Sequence, residues 1–154
     1  MQLPPPFQFL DPGELREGDL RLVLVETVLP MSGRAAAYRF SMRRVEDGER
    51  LGRIELRIGQ TKDLVMYAGN IGYHVDPPYR GHRYAARSCK LLASLARRHG
   101  HSEIWITCDP ENAPSRRTCE LAGGVFEGIV PLPSHHVMYK AGSRNKCRFR
   151  VTVA

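Results

Sequence analysis

"DPPYRGHRYAARSCKLLASLARRHG", residues 76–100, decides how the rest of the chain is read. Its second half has the spacing of a helix over about 85–99, with Ala85, Cys89, Leu92 and Ala96 on one stripe and Arg87, Lys90, Ser94, Arg97 and Arg98 off it. Arg97, Arg98 and His99 set cations at the negative helix end, and Gly100 stands where the helix would stop. Backbone amides at a helix start point outward unpaired and the dipole there favours negative charge, so "RGHRYA" (80–85) reads as an anion-binding turn. Arg80 adds a fork-shaped cation, Gly81 lets the backbone come close, and Ala85 is small at the first turn. Arg83 stands where a third small residue would be easiest to explain. Taken alone, the same residues also describe a plain strand-to-helix turn with solvated arginines.

The flanks extend the pattern. "LVMYAGNIGYHV" (64–75) is rich in β-formers and is ended by Pro77 and Pro78, which offer no amide to a ladder. "EIWITC" (103–108) is a short apolar run of strand type, so a strand–helix–strand unit with parallel pairing is expected. Upstream, "LRLVLVETVL" (20–29), "AYRFSMRRV" (37–45) and "RLGRIELRI" (50–58) read as antiparallel strands, the last two joined by a hairpin at Asp47-Gly48. Downstream, a second helix over roughly 113–122 follows "DPEN" and closes on Gly123-Gly124. "VFEGIV" (125–130), "HVMY" (136–139) and "CRFRVTV" (147–153) supply further strands, and Pro4 to Pro6 with "DPG" (11–13) mark an extended lead-in. With no repeats, residues 1–154 read as a single domain of α+β type.

A chain of 154 residues is long enough for one real core, and 42% hydrophobic with 25% charged residues excludes disorder of the whole. The excess of 23 Lys+Arg over 16 Asp+Glu, a formal +7, suits a polyanionic ligand or an acidic partner. The basic residues are scattered and no aromatics interleave them, which disfavours a nucleic acid. Cys89, Cys108, Cys119 and Cys147 lie far apart with no C-x-x-C pair, so no metal and no redox dithiol is expected, only reduced thiols of a cytoplasmic protein. The amino terminus lacks the pattern of a signal peptide, and no apolar stretch approaches the roughly 20 residues needed to cross a bilayer, so no membrane partner is expected.

Set between "IGYHV" (71–75) and "NAPSRRTCELAGG" (112–124), the turn resembles the signature of the GNAT superfamily of acetyl-CoA-dependent N-acetyltransferases. That signature is Arg or Gln, two free positions, Gly, one free position, then Gly or Ala, placed just after a strand. Here it falls on Arg80, Gly81, His82, Arg83, Tyr84 and Ala85, and the lead-in is similar to the branch that acetylates ribosomal-protein amino termini. The downstream segment is similar to the family's Asn-x-x-Ser helix ending in Gly, and the resemblance covers roughly residues 50–130. It implies a GNAT-like fold, a mixed and largely antiparallel sheet splayed between two central parallel strands and flanked by helices. It implies acetyl-CoA as co-substrate, with direct acetyl transfer to a primary amine of a small molecule or peptide. Pantetheine would bond to backbone around Tyr73, His74 and Val75, and the pyrophosphate would take amides of Arg80 to Ala85. Asn112 and Ser115 would face the cofactor, although Asn112 also reads as a simple N-cap. The family often dimerises, which leaves a homodimer open.

Two departures stand out. If the position of Arg83 needs positive φ, a residue with a Cβ costs on the order of 1 kcal/mol there, which a guanidinium–phosphate contact of roughly 1.5 to 3 kcal/mol would offset. Many relatives carry a Tyr four residues before the helix-ending Gly, placed to protonate the departing thiolate; here that position is Cys119, either an acid or a buried structural thiol, with Tyr139 as a fallback. The amine must lose a proton, and His74 and Glu55 are the candidate bases, although alternation puts His74 opposite Tyr73 and Val75 and Glu55 also reads as merely exposed. The missing Tyr keeps a second reading alive, a catalytically weak acyl-CoA-binding protein of the same fold. The acceptor pocket is assigned to the first 45 residues and to 131–146, including His135 and His136, with no inferable shape.

Overall fold

The structure is a computed structural model describing residues 6–154, so the first two prolines of the lead-in lie outside the described residues. The alternating segments upstream of the turn form an antiparallel meander of β1 (Leu15–Glu17), β2 (Leu20–Val28), β3 (Ala36–Arg44), β4 (Arg50–Ile58) and β5 (Ile71–Val75), neighbours in that order. Tyr38, Phe40 and Met42 of β3 and Ile54 and Leu56 of β4 are buried, whereas Arg39 and Arg53 beside them are exposed. The period of two thus gives one face of the sheet to the core and the other to arginines.

The helix α1 (Tyr84–Arg98) lies on the core face against β1, β4 and β5. Leu92 and Leu95 are fully buried there, each contributing roughly 1.5–3 kcal/mol of transfer free energy. Arg87, off the buried stripe, ties the helix to β1 through Glu17 and Asp19. At the far end Tyr38 takes the Leu10 amide at 2.7 Å and meets Nε2 of His99 at 2.6 Å, under the rings of Phe7 and Phe9.

The hairpin expected at Asp47-Gly48 is present with a longer turn. The Gly48 amide donates to Arg44 at 2.8 Å and the Arg44 amide to Glu49 at 2.9 Å, and of the pair only Gly48 takes positive φ, at 74°. Gly52 is needed for another reason: a Cβ there would fall 2.3 Å from the His74 carbonyl oxygen on β5.

The second sheet is built from β6 (Glu103–Cys108), β7 (Val125–Pro131) and β8 (Asn145–Thr152) in the order β6-β8-β7, with α2 (Ala113–Leu121) between β6 and β7 in the chain. Residues 136–139, expected as a strand, form instead the short helix α3 (Val137–Lys140), because the His136 imidazole Nδ1 accepts the Met138 amide at 3.1 Å and caps the turn. The front of the expected strand over 64–75 is a single π-helical turn (Leu64–Ala68), closed by the Gly69 amide on the Leu64 carbonyl at 2.8 Å.

The α+β class holds, but the central parallel pair does not form. Both sheets are antiparallel throughout and β5 shares no ladder with β6. The reason is Asn70, buried just ahead of β5. Its amide donates to the Trp105 carbonyl at 2.6 Å, its Oδ1 accepts the Trp105 amide at 2.8 Å, and its Nδ2 donates to the carbonyls of Arg57 and Gly59 at 3.0 Å each. One side chain therefore takes the Trp105 amide that a parallel ladder would use, and the outer edge of β5 is left without a strand partner.

Candidate active site

Beyond Asn70, β5 forms one wall of a cavity of about 220 Å³. The strand contributes Tyr73, His74 and Val75, and the turn contributes Tyr79, Arg80, Gly81 and Arg83. Tyr84 and Ala85 of α1 and Pro114 and Thr118 of α2 complete it. The residues expected around a phosphate-bearing ligand are thus brought to one groove, apart from His82, Asn112 and Ser115, which do not line it.

The turn is shaped by a 3-10 segment (Pro77–Tyr79) and by Arg83, which caps α1 at φ 60° and ψ 26°. Arg83 is the only non-glycine residue at positive φ among the described residues, so the strain anticipated for it is present. No side chain caps the helix. The first amide bond of α1 runs from Arg87 to the Arg83 carbonyl at 2.9 Å, and the amides of residues 81–86 find no acceptor among the described residues. Several unpaired donors at a positive helix end fit an anion with several oxygens, which is what a pyrophosphate offers. Arg80 is folded against the strand end, its Nε donating to the Val75 carbonyl at 3.0 Å. The Arg83 side chain borders the groove with no hydrogen-bond partner among the described residues.

Asn112 is the N-cap of α2, its Oδ1 accepting the Ser115 amide at 3.2 Å. This sets the Ser115 hydroxyl, whose Oγ accepts the Tyr73 hydroxyl at 3.2 Å. Burial pushes the Tyr73 hydroxyl up to about 12 against the lowering effect of its bond to Ser115, so it stays protonated through the neutral range.

Of the other expected residues, only His74 lines the groove. The His82 ring sits beside Tyr84, with centroids 5.4 Å apart. His74 keeps a side chain 44% exposed, its Nε2 3.8 Å from Asp76. Glu55 lies on the arginine face, accepting from Arg39 at 2.8 Å and Arg57 at 3.0 Å; burial acts to raise its pKa, but the two guanidiniums prevail and hold it below its ordinary value. Cys119 is fully buried, its pKa raised by its contact with Cys108 and by burial. Tyr139 lies on α3 beneath the guanidinium of Arg144, 3.9 Å from its centroid, and does not line the groove.

Four contributions escaped the sequence reading: Tyr79, Pro114, Thr118 and the hydroxyl of Tyr73. Alternation along "IGYHV" places Tyr73 on the side away from His74, the one signal that pointed its hydroxyl towards the groove. Tyr73 also borders a second cavity, of about 490 Å³, on the arginine face with Glu55.

The model of the acetyltransferase (GNAT) domain matches residues 16–125. Among solved structures, the fold is similar to one from Vibrio cholerae described as a ribosomal-protein-serine acetyltransferase, at 15% identity and TM-score 0.66, covering 93% of this chain and 99% of that one. It is also similar to a GNAT-family acetyltransferase from Bacillus anthracis, at 21% identity and TM-score 0.56, covering 75% of this chain and 66% of that one. A third is the microcin C7 self-immunity acetyltransferase MccE, in complex with acetyl-CoA and AMP, at 14% identity and TM-score 0.58, with 75% and 61% covered. No curated protein sequence matches the chain. The solved structures speak to the fold alone, but the matched domain runs from β1 to the first residue of β7 and holds every residue of the groove. The chain therefore belongs to the GNAT family of N-acetyltransferases.

Proposed function

We propose that this protein moves an acetyl group directly from acetyl-CoA to the primary amine of a small molecule or peptide. The observation that carries this reading is the junction at Tyr73, where a groove suited to a phosphate-bearing ligand meets a separate polar cavity across a single strand. When bound, acetyl-CoA supplies the acyl group as a thioester. The unpaired amides of residues 81–86 and the guanidinium of Arg80 hold its pyrophosphate. On the outer edge of β5 the backbone of Tyr73 and the Val75 amide are open to an amide-bearing arm, the Val75 carbonyl being taken by Arg80, and Ser115, set by Asn112, helps fix the Tyr73 hydroxyl.

At the junction Tyr73 holds its proton on Oη and donates it in a hydrogen bond. As the amine's nitrogen bonds to the acetyl carbon the C–S bond of the thioester breaks and CoA leaves as the thiolate; His74 takes the amine's proton, directly or through water, and returns it to the thiolate, because Glu55 is made a weak base by Arg39 and Arg57. Cys119 packs the core behind the groove. Holding donor and acceptor in line across one strand supplies proximity, and backbone donors polarise the reacting carbonyl.

The test pairs thermal stabilisation by acetyl-CoA with CoA release over an amine panel. Peptide amino termini come first, since the Vibrio cholerae neighbour is described as acting on a ribosomal-protein serine. Stabilisation together with release is the expected result. Stabilisation without release from any amine assigns an acyl-CoA-binding protein, and absence of both overturns the reading.

A further inference from the structure

The open face of the larger sheet is more ordered in charge than a solvated surface needs to be. Around the cavity of about 490 Å³ stand Arg39, Arg53 and Arg57 against one carboxylate, Glu55. Two of the guanidiniums are occupied. Arg39 is shared between Glu55 at 2.8 Å and Glu26 at 2.7 Å, and Arg57 between Glu55 at 3.0 Å and the carbonyls of Ala68 and Gly69 at 3.1 and 3.2 Å. Arg53 has no hydrogen bond and no ion pair among the described residues.

The register then sets three groups abreast: Ser41 pairs with Arg53, and Arg53 with His74. Ser41 is 5% exposed and its hydroxyl has no partner among the described residues. One row further along, Arg21 pairs with Arg43 and Arg43 with Arg50, three cations across adjacent strands, where like charges directly opposite destabilise a sheet. Their nearest carboxylate is Asp76, 3.9 Å from Arg50. A free guanidinium beside a single carboxylate that two other arginines already share asks for an anion in this cavity, and Ser41, Arg43 and Arg50 line with Arg53 an adjoining cavity of about 330 Å³. The larger cavity ends at Gly72 and Tyr73, on the strand that the groove also uses, which distinguishes it from a stray basic patch.

We infer that this cavity selects acceptors carrying a carboxylate beside their amine, with Arg53 reading that carboxylate while the amine lies at the Tyr73 junction. The inference rests on the transferase reading above. The row of Tyr73 and Ile54 is next to the row of Arg53 and His74, and a peptide with an acidic second residue carries both groups, an amine for the junction and a carboxylate for Arg53. A small amino acid with a spaced carboxylate presents the same pair of groups.

Equilibrium titration of the CoA-loaded protein with C-terminally amidated Ser-Glu-Ala, Ser-Gln-Ala and Ser-Lys-Ala tests the selection without requiring turnover. The Glu peptide is expected to bind at least tenfold tighter than the Gln peptide, about 1.4 kcal/mol, and the Lys peptide weakest. In Arg53→Gln the Glu-to-Gln ratio falls below about threefold, and Arg53→Lys restores part of it; an exposed side chain with no hydrogen bond or ion pair among the described residues can be exchanged without unfolding the sheet. A parallel pair, 4-aminobutyrate against butylamine, shows whether small amines or only peptides supply the carboxylate. Equal binding of Glu and Gln peptides, an unchanged ratio in Arg53→Gln, no binding of any of these amines, or tighter competing binding of an oligonucleotide each overturns the inference. CoA release from acetyl-CoA, followed with the same acceptors, reports on the transferase separately: charge-selective binding without release leaves the selection standing and removes the catalytic reading.

Discussion

The Tyr73 hydroxyl donates to Oγ of Ser115 across 3.2 Å, linking the edge strand of one sheet to the helix that opens beside the other. Tyr73→Phe removes that donor while keeping the ring and its packing. Acetyl transfer is expected to fall about 100-fold in kcat, with acetyl-CoA affinity changed less than about threefold. Steady-state kinetics beside calorimetric binding checks it, and the opposite split, affinity lost and kcat kept, would assign the hydroxyl to holding the ligand.

Arg83 holds a left-handed conformation that glycine adopts without strain. Arg83→Gly is therefore expected to raise unfolding stability by about 1 kcal/mol in urea denaturation. The same change is expected to weaken acetyl-CoA binding about tenfold, through loss of a charge-assisted contact worth roughly 1.5–3 kcal/mol. A gain in stability at unchanged affinity would mean that the turn tolerates the guanidinium without using it.

Asn70 satisfies buried backbone groups on Arg57, Gly59 and Trp105 at once. Asn70→Ala strands those groups away from water, so a loss of roughly 3 kcal/mol is expected. Chemical denaturation followed by Trp105 fluorescence, close to the lesion, measures it; a loss under about 1 kcal/mol would show that water replaces the side chain.

The Tyr38 hydroxyl accepts the Leu10 amide and meets Nε2 of His99 at 2.6 Å. Burial, with His101 and Arg98 nearby, lowers the pKa of His99 below its ordinary 6.5. The unfolded chain then binds the proton more readily than the folded one. The contribution of this pair is whole above pH 6.5 and is lost as the pH falls below it through the lowered folded value. Thermal melts are expected to show a steeper decline in Tm below pH 6.5 for the native protein than for His99→Gln, and parallel declines would remove His99 as the sensor.

What the sequence disclosed was whatever local chemistry determines. The stripe of α1, the turn into it and the hairpin at Gly48 follow from periodicity and from residues suited to particular φ values, and the groove assembled from those pieces. What stayed hidden depends on partners far along the chain. Asn70 meets Trp105 at a separation of 35 residues, and His136, which nucleates α3, meets Asp63 at a separation of 73. Glu55 read as a candidate base because strands of this sheet border the pocket in the family it resembles, but register sets it opposite Arg39 and within reach of Arg57. The arginines on the open face looked scattered for the same reason: strand pairing, which no local pattern encodes, is what gathers them.

The single buried asparagine between the sheets also has a mechanical meaning. Asn70 joins the two sheets at the start of β5, and beyond it the edge of β5 is left without a strand partner along its length. A ligand arm lying along that edge would act as the strand the fold omits, so stiffness here is completed by the reactant and withdrawn each time the product leaves.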